Sequence, residues 1–104
     1  MLIKVSEATP LQLDYMVGYI RGEKLRIFDQ QIVWPEDYSP STDWALGGPI
    51  IQREEICVLA PVRGLWRGRK EGRTQYGPTP LVAAMRCYVS SKLGDEVEIP
   101  EELK

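Results

Sequence analysis

Two polar segments, Ser41-Thr42-Asp43-Trp44 and Tyr76-Gly77-Pro78-Thr79, each run into an apolar stretch and read as helix starts. Helix N-termini present unpaired N–H groups and a partial positive charge, so two that converge can hold a phosphate or a carboxylate. Trp44 and Tyr76 could stack on a ring, and Arg53 or Arg86 could fork onto an anion. The plainer reading has Ser41 and Thr79 capping their own helices, each at ~1 kcal/mol. Asp43 already supplies negative charge to the first terminus, which disfavours an anion there.

A second set lies in Arg63-Gly64-Leu65-Trp66-Arg67-Gly68-Arg69-Lys70-Glu71-Gly72-Arg73, with five basic residues, one Glu and an interleaved Trp. Arg63, Arg67, Arg69, Lys70 and Arg73 could touch a nucleic-acid backbone while Trp66 stacks on a base. A solvated loop whose Trp packs on a sheet is the plainer alternative. No helix-turn-helix, RNA-recognition or zinc pattern accompanies the basic run.

Arg86 is the one charge between Pro80 and Ser91, among Leu81, Val82, Met85, Tyr88 and Val89. Its planar fork suits a partly buried pair with Asp43, Glu54 or Glu55. A snorkelling Arg and a ligand-binding Arg are the alternatives. Asp37, Asp43, Glu54 and Glu55 could include a carboxylate pair, but nothing beside them selects a reaction. The chain has no histidine, which removes Ser-His-Asp and Cys-His nucleophiles and the commonest transition-metal ligand. Gly47-Gly48 lacks the further glycine and lysine of a phosphate-cradling loop. The expectation is therefore no enzyme, no cofactor and no metal. Cys57 and Cys87 sit in apolar runs and read as buried free thiols.

At 104 residues and 43% hydrophobic, the chain fits one domain with one core, 1–104, ending in an acidic tail over 95–104 that reads as loosely packed. A net charge of −2 argues against coating nucleic acid by bulk charge. The first residues lack the pattern of a secretory signal, and no apolar stretch approaches the ~20 residues of a membrane span, so a cytoplasmic protein is expected.

The elements that must position these residues follow from local signals. Thr9-Pro10 opens a helix with Leu13, Met16, Val17 and Ile20 on one stripe, stopping near Gly22. Residues 25–28 and 31–34 read as a hairpin about Asp29-Gln30, ended by Pro35. A short helix capped by Ser41 is expected to close at Gly47-Gly48-Pro49, and Pro49 could lead another turn. Ile56–Ala60, apolar on both faces, reads as a central strand covered on two sides. Leu65-Trp66-Arg67 reads as a strand and 68–73 as a loop. Thr79-Pro80 starts the second main helix, ending near Gly94. Val97 and Ile99 alternate with Glu, as an edge strand would. The expected fold is α+β, a mainly antiparallel sheet with helices on both faces, its two main helices near 10–21 and 80–93.

Tyr38-Ser39-Pro40-Ser41-Thr42-Asp43-Trp44, Gly47-Gly48-Pro49-Ile50-Ile51 with Arg53-Glu54, Gln75-Tyr76-Gly77-Pro78-Thr79-Pro80-Leu81 through Val89, and Leu93–Val97 resemble the phage NinX-like family. These are small accessory proteins of lambdoid phages and prophages, a family of unknown function. The Ser-Pro-Ser-Thr block and the Pro-initiated C-terminal helix are also distantly similar to phage alpha-beta-alpha sandwich domains. The resemblance implies a phage or prophage origin and expression inside an infected bacterium, and it carries over no catalytic residue. The leading expectation is a non-catalytic accessory protein that binds a host or phage macromolecule through the surface of 38–49 with the 74–79 turn. The alternatives are a small anionic ligand, nucleotide-like, held between the two helix starts, and nucleic-acid contact through 63–73. A homodimer through an edge strand near 25–34 or 95–99 stays open.

Overall fold

Two of the helices begin where a threonine precedes a proline. In the computed structural model, which describes residues 1–34 and 38–103, α1 spans Pro10–Ile20 and α3 spans Pro80–Leu93. Thr9 and Gln12 form a reciprocal capping box, and Gln12 Nε2 also donates to the Leu103 carbonyl at 2.8 Å. Thr79 accepts from the Val82 N–H at 3.1 Å. Proline at the first helical position gives up only a donor that had no intrahelical partner.

Around these helices the described residues form β1 (Leu2–Lys4), β2 (Arg26–Phe28), β3 (Gln31–Trp34), α2 (Trp44–Glu54), β4 (Cys57–Val62), β5 (Leu65–Lys70), β6 (Arg73–Gly77) and β7 (Glu96–Glu98). All pairings are antiparallel, so the fold is α+β. The expected hairpin is β2–β3, with Asp29 and Gln30 both at positive φ in its turn. Pro35 lies outside the described residues, as does Asp37.

The strands divide into β1–β7, β2–β3 and β4–β5–β6 rather than joining one sheet. The middle layer is also a helix, not a sheet. α3 buries Leu81–Met85 and Cys87–Ser90, because β5 and β6 cover one side of it while α1 and α2 cover others. A helix apolar all round is a buried helix. Gly68 and Gly77 permit the close approach, since a Cβ at either would lie 2.7 Å from the backbone of Ala83. Leu81, Val82, Met85 and Val89 each contribute roughly 1.5–3 kcal/mol by burial.

Four local expectations change. β4 is an edge strand with Cys57 exposed and Val58 and Leu59 half-buried, because the two-sided apolar cover went to α3. Residues 68–70 continue β5 and Arg73 begins β6, so the polar run is a hairpin turning at Glu71-Gly72. α2 is capped by Asp43, which accepts from Ala45 N at 2.9 Å, and it runs through Pro49 to a left-handed Glu55. Pro49 removes one ladder donor, and the burial of Ile50 against α3 keeps the helix going. The 95–103 segment is packed, with Val97, Ile99 and Leu103 in the core and Val97 paired to Ile3.

Candidate functional site

The starts of all three helices meet at one cleft of about 260 Å³. Pro10 comes from α1; Ser41, Thr42 and Trp44 come from the approach to α2; Pro78, Thr79, Leu81 and Val82 come from the approach to α3. Of the residues that sequence singled out, Ser41, Thr42, Trp44 and Thr79 are therefore brought together.

Three contacts hold the cleft's shape. The buried Asp14 of α1 accepts from Ser41 N at 2.9 Å, and Ser41 Oγ donates to the Pro10 carbonyl at 3.1 Å. Gly47 lets α2 settle against Pro40 and Leu81, where a Cβ would meet Leu81 Cδ2 at 2.6 Å. Arg86 donates through Nη1 to the Tyr76 carbonyl at 2.7 Å and through Nη2 to the Ala8 carbonyl at 2.9 Å. It thus ties the chain just before Pro10 to the chain just before Pro78. The expected pairing of Arg86 with Asp43, Glu54 or Glu55 does not occur. Its partners are carbonyls, its Nε is covered without a partner among the described residues, and burial lowers its pKa.

Asp14 is a positioning residue that sequence reasoning missed. Burial pushes its carboxyl up to about 6, against the opposing pull of its hydrogen bonds with Ser41. Tyr38 shares this region: its ring lies over Gly18, 3.1 Å from where a Cβ would be, and burial with Glu23 nearby pushes its hydroxyl up to about 12. The available signal was a carboxylate set among the apolar residues of α1, which a buried helix face tolerates only with donors supplied from elsewhere.

The lining is mainly apolar at Pro10, Pro78, Leu81 and Val82. Trp44, 56% exposed, stands on it. The hydroxyls have local duties: Thr79 caps α3, and Thr42 Oγ1 is 3.5 Å from the Ser39 carbonyl. Asp43 and Arg53 do not line the cleft; Asp43 caps α2, and Arg53 sits in the last turn of that helix. Tyr76 also points elsewhere, onto a sheet face opposite Arg67. With no cation lining the cleft among the described residues and with Asp43 at the α2 terminus, the geometry suits an apolar side chain or ring better than an anion. Among the described residues no three His, Cys, Asp or Glu side chains converge as metal ligands.

The basic run is split by its hairpin. Trp66 is paired with Gly77 and shares the face of β5 that meets α3. Lys70 is drawn inward by the Glu54 carbonyl at 2.7 Å and its carboxylate at 3.7 Å, and Arg73 pairs with Asp95 at 3.3 Å. Lys92 also reaches Glu54, at 3.4 Å. Arg63 lies in the β4–β5 turn, while Arg67 and Arg69 face away from α3. The loop reading, with all six residues available, is thus reduced to three arginines.

The chain matches the family model described as Bacteriophage P22, NinX, over residues 4–92, a span that includes every residue lining the cleft. No match to a curated protein accompanies it. Among the described residues, no helix is long and apolar enough to cross a membrane.

Proposed function

The chain belongs to the NinX family of phage proteins, and from that premise we propose that it is a non-catalytic accessory protein of the infected cell's cytoplasm that binds a host or phage protein at the Trp44 cleft. The observation that carries this reading is a large aromatic left 56% exposed beside an apolar cleft. The ring is held at a capped helix start while Asp14 and Arg86 fix the walls around it. An exposed aromatic beside an apolar recess is an arrangement that anchors protein interfaces. The rival reading, an anionic ligand between the helix starts, is disfavoured by Asp43 at one terminus and by the commitment of Arg86 to carbonyls.

The test is a tagged pull-down from phage-infected cells after nuclease treatment, comparing the native chain with Trp44→Ala. The reading predicts a protein retained in stoichiometric amount by the native chain and lost with Trp44→Ala. Identical retention by both chains would refute it.

A further inference from the structure

The face of the β4–β5–β6 sheet turned away from α3 carries side chains that the cleft does not use. Gly68 and Gly77 point to Ala83 of α3, which fixes the phase of both strands. On the opposite face, register sets Leu59, Arg67 and Tyr76 in one row across the sheet, and Cys57, Arg69 and Thr74 in the next. Neighbours within a row stand about 5 Å apart, and rows are about 7 Å apart.

Charge separates this face from the rest of the molecule. Its rows hold two guanidinium groups and no carboxylate, in a chain whose net charge is −2. Among the described residues neither Arg67 nor Arg69 has an ion-pair partner, whereas Lys70 and Arg73 are paired. Arg63, exposed in the adjoining turn, extends the positive strip. Glu71, the nearest acid in the hairpin, is taken by Lys70 at 3.5 Å.

The second feature is Tyr76, 51% exposed and directly opposite Arg67. Arg67 is half-buried, with its Nε covered. An open ring with unpaired guanidinium groups at its side and one row beyond offers stacking and phosphate contact together.

We propose that this face binds single-stranded nucleic acid, with Tyr76 stacking on a base and Arg67 and Arg69 contacting phosphates. An open ring on a sheet face offers a stacking platform to unstacked bases, which the paired and stacked bases of a duplex cannot use. An acidic protein segment would meet the same charges but would draw little from the ring, so the ring decides between the two occupants.

Fluorescence anisotropy with labelled dT and U strands of roughly 20 nucleotides, and a duplex of the same length, tests this on the full chain from about 50 mM salt upward. Binding of either single strand is expected to be tighter than that of the duplex. Tyr76→Ala should weaken it about tenfold and Tyr76→Phe should restore it. Arg69→Gln should lower the salt slope by about 0.7. The double variant Lys24→Gln/Arg26→Gln, which removes two positive charges elsewhere, should leave the slope unchanged. Thermal melting of each variant establishes that it is folded. The proposal is overturned if neither strand binds at low salt, if the duplex binds as tightly, or if the Lys24/Arg26 variant loses as much as Arg69→Gln. It is overturned equally if Tyr76→Ala is silent while polyglutamate displaces the strand.

Discussion

Replacing Asp14 by Asn separates two things the carboxylate does: accepting from Ser41 and carrying a buried charge. The amide keeps an acceptor for the Ser41 N–H, now at 2.9 Å, and removes the charge. Burial raises the Asp14 carboxyl from 3.8 to about 6, so the folded chain holds that proton more tightly than the unfolded chain. The stability linked to Asp14 is fully present below pH ~4 and is lost as pH rises through ~6. At 1.36 kcal/mol per pKa unit the whole loss is roughly 3 kcal/mol, and roughly 1 kcal/mol of it falls between pH 5 and 8. Any background pH dependence is common to both chains, so the quantity to measure is a difference. Urea unfolding at pH 5 and pH 8 should show the native chain losing roughly 1 kcal/mol more than Asp14→Asn between the two. Asp14→Asn should then be at least as stable as the native chain at pH 8. Asp14→Ala, which strands the buried Ser41 N–H, should lose about 1–3 kcal/mol relative to Asp14→Asn. Parallel pH profiles for the native chain and Asp14→Asn would mean instead that the Asp14 carboxyl titrates alike in the folded and unfolded states.

Arg86→Met removes both charged donors to the Tyr76 and Ala8 carbonyls and should cost about 2 kcal/mol in thermal unfolding, with Arg86→Lys intermediate because an ammonium cannot span both acceptors. An unchanged melting temperature would remove Arg86 from its clamping role. A thiol reagent should modify the exposed Cys57 at once and reach the buried Cys87 only at the rate of opening, since burial also pushes the Cys87 thiol up. Equal rates for the two thiols would contradict the placement of β4 at the sheet edge.

What was legible in the sequence was what local chemistry decides. Thr9-Pro10 and Thr79-Pro80 announce helix starts because a side-chain acceptor and a preset φ act within one turn. The β2–β3 hairpin shows in two short β-rich runs about Asp29-Gln30, and the strand around Val97 in its alternation with Glu. The layering was hidden because Ile56–Ala60 and Leu81–Val89 are both apolar, and composition does not say which one receives cover on every side. Ser41 and Asp43 are both able to cap a helix. A tertiary bond from Ser41 to Asp14 left the cap to Asp43. The convergence of Ser41, Thr42, Trp44 and Thr79 followed from reading both segments as helix starts. Tyr76 as a stacking ring and Arg86 as an anion-binding fork suit the same site by side-chain chemistry, whereas strand phase turns Tyr76 outward and Arg86 is consumed in holding the walls.

The central claim is that Trp44 lies at an interface with another protein. Site-specific photo-crosslinking tests it most directly, with the reactive residue placed at position 44, and at exposed position 24 for comparison, in phage-infected cells. One discrete nuclease-resistant protein adduct is expected from position 44 and none from position 24. No adduct from 44, or the same adducts from both positions, would contradict the claim.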